Sequence, residues 1–340
     1  MSQKEYKIRL EDCSMTQSQH IEYNYNIHGI LKVNSNFKGI LPDCFLTNKE
    51  LENPDIILRL VKKVEVSSDR RIIQIAPGLF YDEGNDLVVS LFNLGGFNMG
   101  WTLKGLLKER TEVFVSSAYR RFVQMPVSTV HPLNDYIKFI LQIRLILKGY
   151  SFLLGGSFRP KNSDYAAVIS SSGGMGKTTT ILNLIKKTGA EFLSDDTSII
   201  SKDKVYSYPS PLRKRVFGSL ILGYCRNIPV EKILLPNVIR KDSLNARFIF
   251  FLERSRKNEI LLIDSISALN KIISINRKII PYSTERSILG YFYKENQYNI
   301  NNLIKKEEDI LKSFLGNLKC YLIRAAHLYS YIDLITEVIK

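Results

Sequence analysis

The stretch "AAVISSSGGMGKTTTILNLIKK", Ala166 to Lys187, decides how this chain is read. It joins a short apolar run to a glycine-rich turn and then to a segment with helical spacing. The window Ser171-Ser-Gly-Gly-Met-Gly-Lys-Thr178 fits the phosphate-gripping pattern G-x-x-x-x-G-K-[ST] except at its first position, where Ser171 stands for glycine. The residue types carry the chemistry. Gly173, Gly174 and Gly176 let the backbone wrap closely with its N–H groups turned inward. A helix beginning at Lys177 adds the positive end of its dipole. The Lys177 ammonium is placed to reach β- and γ-phosphates, and the Thr178 hydroxyl to complete a Mg²⁺ shell. The predicted phosphate-binding set is Ser172, Gly173, Gly174, Met175, Gly176, Lys177, Thr178 and Thr179.

A triphosphate site also needs a carboxylate for its metal, and "EFLSDDTSII" supplies two, Asp195 and Asp196, at the end of an apolar run. Strand ends on the ligand side of an α/β sheet gather at one edge, so a parallel "AEFLS" strand sets both acids beside the loop. One would hold Mg²⁺, directly or through water. The other would accept a proton from an attacking hydroxyl. A solvated "SDDT" turn capping a hairpin is the plain alternative.

The rest of the composition narrows the class. The chain has 340 residues, 45% of them hydrophobic, enough for one large core or two smaller ones. It has no apolar run of membrane-spanning length; the most apolar helical stretch, "YIKFILQIRLILKGY", carries Lys138, Arg144 and Lys148 and reads as a core helix. The N-terminus shows no apolar signal segment. Cys13, Cys44, Cys225 and Cys320 are scattered, which speaks for reduced thiols rather than a disulfide framework or zinc site, and for a cytoplasmic protein. The net charge of +15 is uneven: residues 1–170 hold 21 Lys+Arg against 17 Asp+Glu, and the remainder 27 against 16. A basic half attracts nucleotides or acidic partners, but no motif with interleaved aromatics supports nucleic acid.

The first 130 residues alternate apolar runs with turn signals: "DIILRLVKKVEV", "RRIIQIA", "NDLVVSLFNL" and "TEVFVSS" read as strands, and "GGFNMG" as a break. His20, His28 and His131 fall into no metal-ligand spacing. Pro132 opens a helix that Gly149 closes. "SFLLGGSF" and "DYAAVISS" read as strands joined by "RPKNS", and "TSIISKDKVYSYP" as a hairpin around Lys202 to Lys204. "ARFIFFLERS", "NEILLIDSI" and "KCYLIRA" are further strands, with helices from Ser265, over "INNLIKKEEDILKSFLGNL" and over the terminal "YSYIDLITEVI". The expected architecture is α/β with some antiparallel pairs: a mixed N-terminal domain over 1–131, a connecting helix over 132–149 and a phosphate-loop domain over 150–340.

"SSGGMGKTTTILNLIKKTGAEFLSDDTSIIS" followed by "VYSYPSPLRKR" resembles the HPr kinase/phosphorylase-like group of P-loop kinases, whose core is shared with phosphoenolpyruvate carboxykinases. The resemblance runs from about Tyr150 to about Ile263. It implies an ATP·Mg²⁺-dependent kinase acting on a hydroxyl of a protein, peptide or small molecule, with the N-terminal domain presenting the acceptor, and is compatible with a homo-oligomer. Lys177 would bind the β/γ-phosphates and Thr178 the metal. Asp195 would be the general base and Asp196 a metal ligand, or the reverse. Arg213 and Arg215 would lie near the phosphates or the acceptor, unless they are a basic surface run. Three departures stand out. Relatives often carry a histidine on the strand before the loop strand, where this chain has Gly155 and Gly156. The HPr kinase signature is absent from "PLRKRVFGSLILG", which argues against HPr as substrate. Ser171 replaces the first loop glycine. Two other readings use the same loop: a partition-type P-loop ATPase, whose extra lysine is absent at Ser172, and an ATP-binding regulatory protein without transfer activity.

Overall fold

A computed structural model describes residues 6–11, 22–68, 72–82, 86–94, 97–118, 132–210, 212–215, 225–228, 230–234, 238–279, 291–292 and 300–340. Two units divide it. The first comprises residues 1–147 with 215–225 and 282–303; the second comprises 148–214, 226–281 and 304–340. The first unit thus takes the helix read as a connector, together with two short stretches from the C-terminal half.

The first unit is built on strands. β1 (Tyr6–Glu11) pairs with β6 (Lys63–Ser68) as a separate ribbon. A nine-stranded sheet combines β2 (Tyr23–Ile27), β3 (Leu31–Ser35), β4 (Leu46–Thr47), β5 (Ile56–Val61), β7 (Ile72–Ala76), β8 (Leu79–Asp82), β9 (Leu87–Leu94), β10 (Phe97–Lys104) and β11 (Thr111–Ser116). Its order is β4-β2-β3-β5-β11-β10-β9-β8-β7, parallel at β3–β5 and β5–β11 and otherwise antiparallel. Helix α1 (Pro132–Leu147) follows. His28 occupies the β2–β3 turn at φ +53° and packs edge-on against Phe45, a structural role. His20, His131 and Cys13 lie outside the described residues.

Two expectations are corrected here. "DIILRLVKKVEV" is two strands, β5 and β6, split at Lys62. "GGFNMG" breaks the chain only at residues 95–96, which separate β9 from β10 and lie outside the described residues; Phe97 to Gly100 already belong to β10 and pair with β9. Gly100 is there for closeness: a Cβ on it would lie 2.5 Å from Leu91 Cδ2.

The second unit is a sheet with helices on both faces. Its strands are β12 (Ser151–Leu154), β13 (Gly156–Arg159), β14 (Tyr165–Ser170), β15 (Glu191–Ser194), β16 (Thr197–Ile200), β17 (Lys204–Tyr206), β20 (Ser243–Arg254), β21 (Glu259–Ile263) and β22 (Lys319–Ala325). Between β17 and β20, β18 (Leu212–Arg215) and β19 (Cys225–Ile228) form a two-stranded ribbon. The helices are α2 (Lys177–Thr188), α3 (Ser265–Ile279), α4 (Ile300–Leu315) and α5 (Leu328–Ile339). The main path is β12-β16-β17-β20-β14-β13-β15, with β22 beside β20 and β21 beside β22.

Strand periodicity assigns the two faces. Ala167 and Ile169 of β14, with Phe248, Phe250 and Leu252 of β20, pack on Ile181, Leu184 and Ile185 of α2 and on Tyr331, Ile332 and Ile335 of α5. The alternate residues Ala166, Val168, Ile249 and Phe251 pack on Ala268 and Ile272 of α3 and on Leu311, Phe314 and Leu315 of α4. Each of these large side chains contributes roughly 1.5–3 kcal/mol by leaving water. The central strands are buried on both sides, which explains their near-continuous apolar reading.

The strand order carries an arrangement that sequence periodicity does not reveal. β14 is parallel to β20, and β20 to β22. β15 does not touch β14; β13 lies between them and is antiparallel to both. Two reversals leave β15 running in the same direction as β14, so their carboxyl ends share one edge. "SFLLGGSF" is also two strands, broken at Gly155, with β12 pairing β16 and β13 pairing β14 and β15.

Candidate functional site

β14 ends at Ser170 and the chain turns through Ser171–Gly176 into α2. Gly174 and Gly176 adopt φ +80° and +88°, conformations that side chains resist, so the sequence dictates this turn. Ser171 is not among the described residues with positive φ, so serine is tolerated at the first loop position. No side chain caps the start of α2 and its first turn holds no acid. Its positive end therefore meets the loop unneutralised. Gly189, at φ +71°, stops the helix with its N–H on Ile185 O.

Four side chains converge at this point. Lys177 is buried and its Nζ donates to Ser171 O at 2.9 Å. Thr178 Oγ1 donates to Asp195 Oδ2 at 3.0 Å. Asp195 is 7% exposed, and its Oδ1 is buried with no hydrogen-bond partner. Burial pushes the Asp195 carboxyl up to about 6; the Thr178 hydrogen bond pulls against that, Asp196 adds to it and Lys177 opposes it. Burial likewise lowers the Lys177 ammonium, with Asp196 and then Asp195 drawing it back up. Asp196 itself is exposed.

The backbone beneath the acids is tightly built. Gly155 N donates to Asp196 O at 3.1 Å. A Cβ on Gly156 would lie 2.1 Å from Ile181 Cδ1 and 2.3 Å from Asp195 O; one on Gly155 would lie 2.7 Å from Ile169 O. At Gly155 and Gly156 no side chain fits, and glycine is required by packing. Below them Ser157, Ser194 and Ser198 are fully buried and joined hydroxyl to hydroxyl, at 2.7 Å between Ser157 and Ser194, 2.5 Å between Ser194 and Ser198, and 3.0 Å between Ser198 and Ser157. Ser198 Oγ also reaches Gly155 O at 3.0 Å. This ring fastens β13, β15 and β16 under the acidic turn.

The structure therefore brings Lys177, Thr178, Asp195 and Asp196 to one end of the loop. Arg213 and Arg215 lie on β18, and their side chains are outside the described residues. Sequence reasoning missed the serine ring, since isolated serines in strands carry no signal. It also missed Leu328, the first residue of α5, which lies against the loop: a Cβ on Gly176 would sit 2.1 Å from Leu328 Cδ2. The glycine pair at 155–156 was visible, but its meaning as a close approach was not.

The oxygen set suits a hard divalent cation. Mg²⁺ is held through one or two protein oxygens together with substrate phosphates and water. Thr178 Oγ1 and Asp195 Oδ2 are adjacent, and the unpartnered Oδ1 offers a further lone pair. Among the described residues no group of three His, Cys, Asp or Glu forms an all-protein metal cage. Among the same residues no helix is long and apolar enough to cross a membrane.

No protein-family model matches the chain, and no curated protein does. Among solved structures it is similar to the HPr(Ser) kinase/phosphatase from Coxiella burnetii, at 14% identity, covering 33% of this chain and 78% of that one with a TM-score of 0.23. A likeness at that level carries no argument about activity.

Proposed function

We propose that this protein binds ATP with Mg²⁺ in the loop Ser171–Thr178 and transfers the γ-phosphoryl group to a hydroxyl of a protein, peptide or small molecule. One observation carries the reading. A buried carboxylate with an unpartnered oxygen is hydrogen-bonded to the threonine that follows the loop lysine, at an uncapped helix N-terminus. A purely structural turn has no reason to hold an acid there, because burial of an underbonded carboxylate is costly.

Each residue has a task in that reaction. The loop amides and the α2 N-terminus neutralise phosphate charge. Lys177 exchanges its neutral partner, Ser171 O, for phosphate oxygens. Thr178 and Asp195 hold the cation, which when bound neutralises charge on the β- and γ-oxygens. Asp196, exposed beside them, takes the proton of the acceptor hydroxyl as its oxygen bonds to the γ-phosphorus. The bond from that phosphorus to the β-bridging oxygen breaks, and ADP leaves. This exchanges the base and metal roles first given to the two acids, a choice the sequence left open.

The second reading, an ATP-binding regulatory protein, is favoured by the packing at Gly155 and Gly156, which excludes an upstream acid–base histidine. Incubation with γ-labelled ATP and a cell extract separates the two. Label on a second molecule, lost in Lys177→Ala and in Asp196→Asn while the latter still binds ATP, is expected. ATP binding with no transfer in any fraction would overturn the kinase reading and leave the regulatory one.

A further inference from the structure

The start of α5 and the outer face of α2 form a seat beside the loop that its phosphate chemistry does not use. Because β14, β20 and β22 are parallel, the turn after β22 opens at the same edge as the glycine-rich turn after β14. Leu328 lies directly on Gly176. Leu328 and Tyr329 are 39% and 74% exposed, an unusual pair of large apolar side chains to leave in water at the mouth of a polar site. Tyr329 and Ile332 of α5 line a cavity of about 320 Å³ with Asn183, Lys186 and Lys187 of α2 and Asp333. That volume is at the lower end for small-molecule sites. Asn183 follows Lys177 by six residues, about 9 Å along the helix, comparable to the span from the terminal phosphates of a nucleotide to its base.

From this we infer that the cavity between α2 and α5 receives the base of the nucleotide, stacked on Tyr329, with Asn183 reading its edge. The inference rests on the phosphate-site reading above and adds what selects the nucleotide. Asn183 Nδ2 spends one N–H on Thr179 O at 2.9 Å, which leaves the carbonyl oxygen and the second N–H of the amide for a ligand. An acceptor there pairs with the exocyclic amino group of adenine and opposes the carbonyl of guanine. Lys187 pairs with Asp333 at 2.5 Å, and both line the cavity.

The test compares ATP, GTP and inorganic tripolyphosphate, each with Mg²⁺, by titration calorimetry on the full chain. Wild type is expected to bind ATP more tightly than GTP. Tyr329→Ala, at an exposed position that folding tolerates, weakens ATP about tenfold and leaves tripolyphosphate unchanged. Asn183→Leu brings the ATP-to-GTP ratio close to one. Lys177→Ala weakens all three ligands. If tripolyphosphate binds and depends on Lys177 while Tyr329→Ala leaves the ATP-to-tripolyphosphate ratio as in wild type, the base seat is wrong and the phosphate site stands. Failure of tripolyphosphate to bind wild type overturns the phosphate site and the base seat with it.

Discussion

Arg144 in the first unit and Lys177 in the second are both buried cations, and they are treated in opposite ways. Arg144 on α1 is wrapped by backbone: its guanidinium donates to the carbonyls of Leu106, Lys108 and Glu109, with Asp55 at 3.9 Å. Burial lowers its pKa and Asp55 partly restores it. Lys177 has one carbonyl, and its acidic neighbour Asp195 holds only the Thr178 hydroxyl. A cation that stitches a loop to a helix is held by three fixed carbonyls through its terminal nitrogens, even though its Nε stays unpartnered. Lys177 has one exchangeable acceptor, and the charge beside it is left underbonded, as the proposed phosphate role requires. Glu253 on β20 makes the same point among acids: half-exposed, it is held by Lys271 of α3 and Arg324 of β22, and the two cations lower its pKa against the opposing effect of burial.

The contrast can be broken by substitution. Arg144→Ala leaves three loop carbonyls without their donor and is expected to destabilise the first unit by about 3–5 kcal/mol, read as a lower denaturant midpoint; a loss under 1 kcal/mol would place Arg144 with Lys177 rather than opposite it. Asp195→Asn is expected to act the other way. Folding raises the carboxyl from its ordinary value to about 6, so the folded state binds this proton more tightly than the unfolded one. The stability it contributes is complete below the unfolded value near pH 4 and is lost as pH rises through about 6. Asn removes that loss, giving a gain of up to about 3 kcal/mol at pH 8 that disappears at pH 4 in parallel melting curves. On the proposed reading the same ionisation governs cation binding, so Mg²⁺-dependent ATP affinity in wild type is expected to fall as pH drops from 7 to 5. Glu253→Gln should cost least, about 0.5–1 kcal/mol, with no change in nucleotide binding by calorimetry.

The loop was legible because its glycines, lysine and threonine are consecutive and the strand and helix flanking it are local. The acids were legible as a strand end, and their arrival at the same edge was anticipated, but the route was not: β13 is inserted between the two strands, a pairing over distances that periodicity does not record. "GGFNMG" marks the break between β9 and β10 but overstates its length, because Phe97–Gly100 already pair with Leu94–Leu91 of β9. The break at Gly155 was hidden for the converse reason, an apolar run that continues across a change of partners. The hydroxyl ring and the contact of Leu328 with Gly176 join residues far apart in the chain, and nothing local announces them.

The inserted strand has a consequence for tolerance to change. With β13 between them, the ends of β14 and β15 stand two ladder spacings apart, roughly 10 Å, and a side chain from α2 closes that gap at Asp195. One strand's width acts as a ruler for the distance from the glycine-rich loop to the acid. The hairpin tip at Pro160–Ser163 joins β13 to β14 at the remote edge, so insertions there can accumulate while the ruler keeps its length.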